Sequence, residues 1–447
     1  MSPPAERETF ASRFGTLMTM IGVAVGLGNV WRFPYMVGRF GGAAFVLFYL
    51  LVVALIGVPA LMAEWALGRH TRRGTVGAFA AGGLPFGRQV GWFFFFIVAA
   101  ATGYYSAVIG WVLYYAVGEV ASALHVRFDP SAILPPGAGF NLRSFVLQLI
   151  STGAVILACA VVLLRGLRSG IERASKVIMS LLFGILVLLV LRALTLPGAM
   201  AGVDWYILKF RLADLTPGVM VAAMGQAIFS LSLGGTFMVV YGSYLRATED
   251  LGRNAAWTAA GDTAAGLLAG LAIFPAVFAL GLEPAAGPGL LFSTLPRVFA
   301  AIPLGWLFGL LFFAGLFGAA YLSAVAAFEV LVAGLIDNTS ISRKRAVWAM
   351  AAVVFVLAIP PMINNRIFVP WDLTFGSGMQ TLGALLAVIT VGWSVKRSAL
   401  LQELAGEGRP LVSPWLVRWI RFGIPAVILL VGIWWLITSV FESTAAV

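Results

Sequence analysis

The chain has 447 residues, of which 61% are hydrophobic and only 11% carry a charge, under half of the roughly 25% found in soluble domains. That composition excludes an ordinary soluble protein, and one cysteine (Cys159) with two histidines (His70, His125) excludes a disulfide framework or a Cys/His zinc cluster. A net charge of +11 would suit a nucleic-acid partner, so the placement of the basic residues has to decide.

Eleven apolar stretches follow one another, at 15–37, 41–68, 90–122, 143–164, 170–191, 217–245, 255–282, 305–336, 345–362, 372–395 and 415–440. A helix crosses a bilayer in about 20 residues, so each is a candidate span. Met1 to Glu8 is polar, and the first apolar run leads into further spans rather than to a small-residue cleavage site. It therefore reads as a retained span and not a signal peptide. With the N-terminus placed inside, 20 of the 29 basic residues fall on the cytoplasmic side, in groups such as Arg72-Arg73, Arg165 to Lys176, Arg343-Lys344-Arg345 and Lys396-Arg397. This asymmetry predicts a multi-pass protein of the cell (inner) membrane, N-terminus cytoplasmic and, after eleven crossings, C-terminus extracellular or periplasmic. The basic excess is a topology signal, and no nucleic-acid partner is expected.

Two spans carry interruptions: Gly26-Leu27-Gly28-Asn29 in the first, and Ser230-Leu231-Ser232-Leu233-Gly234-Gly235 in the sixth. Glycine inside a membrane helix often does no more than permit close packing. Paired breaks with polar residues inside them, five helices apart, instead match inverted repeats with a binding site at the unwound backbone, which hydrocarbon tolerates only where it lines a cavity. The predicted organisation is an N-terminal segment (1–14), a first five-helix repeat (15–192), an extracellular loop (193–216), an inverted repeat of helices six to ten (217–396), and helix eleven with the C-terminus (397–447).

The run from Gly22 to Tyr35 (GVAVGLGNVWRFPY) resembles the first helix of the neurotransmitter:sodium symporter family. The likeness continues through Glu64 to Arg69 (EWALGR), Gly103-Tyr104-Tyr105, Gly225 to Gly234 (GQAIFSLSLG) and Tyr241 to Tyr244 (YGSY). It covers nearly the whole chain. The resemblance implies an all-α polytopic membrane protein with a LeuT-like fold, two inverted five-helix repeats plus one extra helix. It also implies sodium-coupled uptake of a neutral amino acid by alternating access.

Site residues follow from the resemblance, position by position. The amides of Leu27 and Gly28 and the Tyr105 hydroxyl are expected to hold a substrate carboxylate, since free amides at a helix break attract anions. Gly26 stands where monoamine transporters carry an aspartate for an amine, so the substrate is expected to bring its own carboxylate. The first sodium site is expected at Ala24 (carbonyl), Asn29, Ser230 and Asp262. There the Asp262 carboxylate supplies the charge for which chloride-dependent relatives need an anion, so chloride is not expected. The plain alternative is that Asp262 caps a helix end. The second site is expected at the carbonyls of Gly22, Val25 and Ala319 and the Ser323 hydroxyl. Leu322 replaces the usual threonine there, so either water fills in or sodium binds weakly, and the count of ions is one or two. Ser180 occupies a helix-five position where related proteins often have proline, which puts the inward-release route in question.

Arg32 with Asp372, lidded by Phe229 and with Gln226 alongside, resembles the family's outer gate. Arg7 with Asp337, supported by Tyr244, resembles the inner latch; the bland alternative for such arginines is a topology anchor. Glu64 and Glu329 read as buried supports. The side-chain pocket is expected to include Ala101, Phe229, Ser232, Gly235, Ala326 and Ala327, small enough to favour a large apolar side chain unless Phe237 or Tyr321 refills the space. A small or β/γ-amino acid, or a transport-dead sensor on the same fold, is the alternative. A channel or an intramembrane enzyme is not expected, because polarity is confined to gated breaks and neither histidine lies in one. The partners expected are an amino acid, as a small-molecule substrate, and the lipid bilayer, with the protein a monomer or weak dimer.

Overall fold

The structure is a computed structural model and describes residues 8–284, 292, 294–405 and 413–437. Among these, every regular element is helical. A helix satisfies its own peptide groups within one segment, which is what hydrocarbon demands of apolar runs this long. Among the described residues nine helices are long and apolar enough to cross a membrane: Gly42–Thr71, Gly87–Ala123, Leu142–Leu164, Leu167–Leu194, Leu251–Ala279, Gly305–Asn338, Arg343–Met362, Asn365–Ser394 and Pro414–Trp434. They correspond to expected spans two to five and seven to eleven. The first span is a pair, Arg13–Ala24 and Gly28–Phe40, bent by 56°. The stretch expected as a sixth span is two short helices, Pro217–Ser230 and Phe237–Gly242. Both interruptions fall at the glycine runs. Short helices at Thr75–Ala81, Ala199–Val203, Leu295–Ala301 and Arg397–Ala405 occupy connections that hydropathy left as loops.

The first, second, sixth and seventh spans pack on one another, and so do the third, fourth, eighth and ninth. The fifth joins the two groups through the first, seventh and eighth, while the tenth lies against the second, third and eleventh. Small residues set the closest approaches. A methyl group on Gly68 would strike the Val239 carbonyl, and one on Gly103 would meet the backbone of Leu357 and Ala358. Both broken spans of the first group also touch the eighth span, so they lie on the side of their group that faces the other.

Candidate functional site

After Ala24 the first span leaves the helix through Val25, whose ψ is 118°, and resumes at Gly28. The amides freed by this break find side chains: Gly26 N–H donates to Asn29 Oδ1 at 3.0 Å and Leu27 N–H to the Tyr105 hydroxyl at 3.3 Å. A Cβ on Gly26 would stand 2.6 Å from Ser323 Oγ and 2.8 Å from the Tyr105 hydroxyl. Any side chain at this position would have to displace one or both of these hydroxyls.

The second break turns through left-handed backbone at Ser232 (φ 52°), Gly234 (φ 84°) and Thr236 (φ 59°). Its polar groups are held from outside the span. Gly234 N–H donates to Glu64 Oε1 at 2.8 Å, the Thr236 and Thr75 hydroxyls meet at 2.8 Å, and the Ser232 hydroxyl donates to Val23 O at 3.0 Å. Glu64 thus secures the break, the supporting position read from sequence.

Between the breaks lies a cavity. Of the expected substrate-facing residues it is lined by Ala24, Gly28, Ala101, Tyr105, Phe229, Ser232 and Ala327. Leu27 contributes its N–H rather than its buried side chain, and Ser230 faces the polar cluster described next. Gly235 and Ala326 are corrections. A Cβ on Gly235 would run into the Phe237 ring, so the space that glycine leaves is already filled. Ala326 is buried in the eighth span and does not reach the cavity. Tyr321 does not refill anything, because its hydroxyl donates to Ala158 O at 2.7 Å. Thr102, Tyr104, Phe237 and Gln380 also line it. Hydropathy conceals the last of these, since one glutamine in a long apolar span barely changes its mean.

Beside the cavity, Asn29 Nδ2 donates to Ser230 Oγ at 2.9 Å and to Asp262 Oδ1 at 2.7 Å, and Ser230 Oγ donates to Asp262 Oδ2 at 2.7 Å. The Tyr49 hydroxyl lies 3.3 Å from Ser230 Oγ. Asp262 sits in the interior of Leu251–Ala279 and is fully buried, so it caps no helix end. Hard oxygens with one net negative charge suit a small alkali cation, and among the described residues no basic group joins the hydrogen bonds of this cluster. Three of the four expected ligands therefore come together, with Ala24 on the adjacent cavity wall. Tyr49 was not anticipated; a hydroxyl within an apolar second span was its only signal.

At the second expected site, Ser323 Oγ donates to Val25 O at 3.1 Å and lies 3.5 Å from Ala319 O. A Cβ on Gly22 would stand 3.0 Å from Leu322 Cδ1 and 3.6 Å from Ser175 Oγ. The leucine therefore places hydrocarbon against Gly22, and the fifth span brings a hydroxyl near it.

The family profile described as the sodium:neurotransmitter symporter family matches residues 7–126 and 145–444. The chain belongs to that family. It is 34% identical over 445 residues to YhdH of Bacillus subtilis, an uncharacterised sodium-dependent transporter, covering 94% of this chain and 96% of YhdH. It is 31% identical over 455 residues to an uncharacterised sodium-dependent transporter of Haemophilus influenzae, covering 96% and 98%. Its structure matches that of MhsT in complex with L-phenylalanine with a TM-score of 0.83 at 35% identity, over 96% of this chain and 99% of MhsT. The protein is thus a sodium-coupled, multi-pass membrane transporter of LeuT fold and not an enzyme.

The residues that resemble the symporter gates are placed as follows. The Arg32 guanidinium stacks 4.3 Å over the Phe229 ring and donates to Gln226 Oε1 at 3.2 Å, while Gln226 Nε2 donates to Gly28 O at 2.9 Å. Among the described residues no ion pair joins Arg32 to Asp372, whose carboxylate faces the Tyr104 hydroxyl. At the opposite end Arg7 lies outside the described residues. Asp337 Oδ2 accepts from Gly74 N–H at 2.6 Å, and the Tyr244 hydroxyl donates to Glu329 Oε1 at 2.6 Å. Glu329 also pairs with Arg343 at 2.6 Å, a partner not singled out from sequence. Residues 9–11 are tied down by Arg168 to Thr9 O, Arg246 to Phe10 O and Ala11 N–H to Glu172.

Proposed function

We propose that the protein imports a neutral amino acid with sodium, by alternating access around the cavity between the two broken spans. One observation carries this reading: the Leu27 amide and the Tyr105 hydroxyl meet at the cavity wall, next to the Asp262 cluster. A substrate carboxylate there gains hydrogen-bond donors at an unwound helix end and lies near the cation held by Asp262. Apolar walls at Ala101, Ala327, Phe229 and Phe237 suit a hydrocarbon side chain. The phenylalanine bound in MhsT supports a large one. Asn29, Ser230 and Asp262 hold one sodium ion; Val25, Ala319, Ser323 and Gly22 offer a weaker second place. Because Asp262 carries the charge itself, chloride has no role. Arg32 and Asp372 close one entrance when they approach, and Arg7 with Asp337 closes the other. The N-terminus lies in the cytoplasm, as the basic residues indicate.

The test is uptake of labelled neutral amino acids into proteoliposomes with and without an inward sodium gradient. Accumulation above equilibrium that collapses without sodium is the expected result. Binding without accumulation would leave a sensor, and preference for glycine, alanine or a β- or γ-amino acid over leucine and tryptophan would remove the large-side-chain assignment.

A further inference from the structure

The hydroxyls around the cavity are already engaged. Ser232 donates to Val23 O at 3.0 Å, Ser323 to Val25 O at 3.1 Å and Thr102 to Val98 O at 2.6 Å, while the Tyr105 hydroxyl accepts from Leu27 N–H at 3.3 Å. The Tyr104 hydroxyl faces Asp372. Gln380 differs. It lines the cavity, yet its Oε1 is buried without a hydrogen-bond partner. Other buried polar atoms lack partners too, Glu64 Oε2 and the Tyr241 hydroxyl among them, but among the described residues only Gln380 combines this with a place on the cavity wall. Native structures keep few buried carbonyls without a donor, because the lost hydration is not replaced.

The backbone explains how a tenth-span residue comes to this wall. A Cβ on Gly234 would strike the Gln380 carbonyl, and a Cβ on Gly383 would strike the Gly234 carbonyl. Gly234 has a φ of 84°, so glycine is required there on both counts. The tenth span is thereby laid directly on the break in the sixth, with Gln380 one turn before Gly383. The result is a tenth-span amide on the wall of the cavity that Phe237 and Ala101 also line, while Tyr105 and Leu27 are the proposed carboxylate end.

We propose that Gln380 is a specificity-determining residue whose amide carbonyl accepts a hydrogen bond from the substrate side chain, selecting large neutral amino acids with one ring donor, of the indole or phenol class, over all-hydrocarbon rings. This rests on the cavity being the amino-acid site. Two phenylalanine rings and small aliphatic residues supply apolar contact, and one acceptor among them matches an aromatic ring with a single polar atom.

The experiment uses the full-length protein in proteoliposomes and sodium-driven uptake of labelled tryptophan, competed by matched pairs. Tryptophan is set against 3-benzothienylalanine, in which sulfur replaces the indole N–H at nearly constant shape, and tyrosine against phenylalanine. The donor-bearing member should compete about five- to tenfold better, the scale of one neutral hydrogen bond. Gln380→Leu should bring both ratios close to one while phenylalanine remains a competitor. Gln380→Met, of similar length, repeats the measurement if the leucine variant assembles poorly. Ratios near one in the wild type, ratios unchanged in both variants, or accumulation of aliphatic amino acids without tryptophan would overturn the role of Gln380 and leave amino-acid symport standing. No sodium-driven accumulation of any neutral amino acid would overturn that reading and this one with it.

Discussion

Two regions flank the unwound part of the first span and are built from different materials. Around Asp262, three spans besides the first contribute side chains, and Asn29, Tyr49, Ser230 and Asp262 are all buried and hydrogen-bonded to one another. Around Ser323 the oxygens are mostly backbone carbonyls, and Leu322 presses hydrocarbon against Gly22. A carboxylate within a bilayer is costly unless its charge is shared. On the proposed function the Asp262 region needs a cation to balance it, whereas the neutral carbonyls at Ser323 are expected to tolerate a missing ligand. One region should be obligatory for coupling and the other adjustable.

The largest expected effect is on the obligatory side. Asp262→Ala should lower sodium-driven uptake by about 100-fold or more, the scale of removing one partner from a buried charge pair. Wild-type uptake should be the same in sodium gluconate as in sodium chloride. Asp262→Ser should recover part of the activity only when chloride is present, because a mobile anion then supplies the charge. A large chloride requirement in the wild type would remove Asp262 from this role.

A smaller effect is expected from Ser323→Ala, which deletes the side-chain oxygen that the adjustable region shares with its carbonyls. The sodium concentration for half-maximal uptake should rise about three- to tenfold, in line with one neutral ligand, with the maximal rate largely kept. If this variant loses transport as completely as Asp262→Ala, the contrast between the two regions is false.

That contrast is only partly legible in the sequence. The breaks are legible, because glycine runs that recur five helices apart, each with serine or asparagine beside it, expose more backbone than close helix packing requires. Asn29, Ser230 and Asp262 are legible through the resemblance, which marks them position by position, and a polar atom in an apolar span is costly enough to agree with it. The pocket is harder to read. Gly235 suggests open space, but space belongs to whichever neighbour can reach it, and the Phe237 ring two residues on does so. Tyr49 and Gln380 lie on the second and tenth spans, far from either break in sequence, and only the packing of those spans brings them to the site. The Arg343 pairing with Glu329 is hidden for a similar reason: a cluster of basic residues reads as a topology anchor, whichever one of them turns inward.

The smallest effect concerns Leu322 and sharpens the comparison most. Leu322→Thr places a hydroxyl near Ser323 and Val25, where the family usually has one. Sodium affinity should improve about threefold, and the Hill slope for sodium should move from near one toward two. The gain is opposed by packing, since shortening a buried leucine costs about 2–5 kcal/mol. The variant should therefore melt at a lower temperature in potassium while gaining more from added sodium than the wild type does. Ser175 offers a control, because its hydroxyl lies beside Gly22 on the same face as Leu322, 3.6 Å from where a Cβ on Gly22 would stand. If that hydroxyl stands in for the missing ligand, Ser175→Ala should weaken sodium binding in the wild type and have little effect once Thr occupies position 322. A wild-type Hill slope near two, together with no change in sodium affinity in Leu322→Thr, would mean that the Ser323 region is already a complete site and that its hydrocarbon wall is no defect.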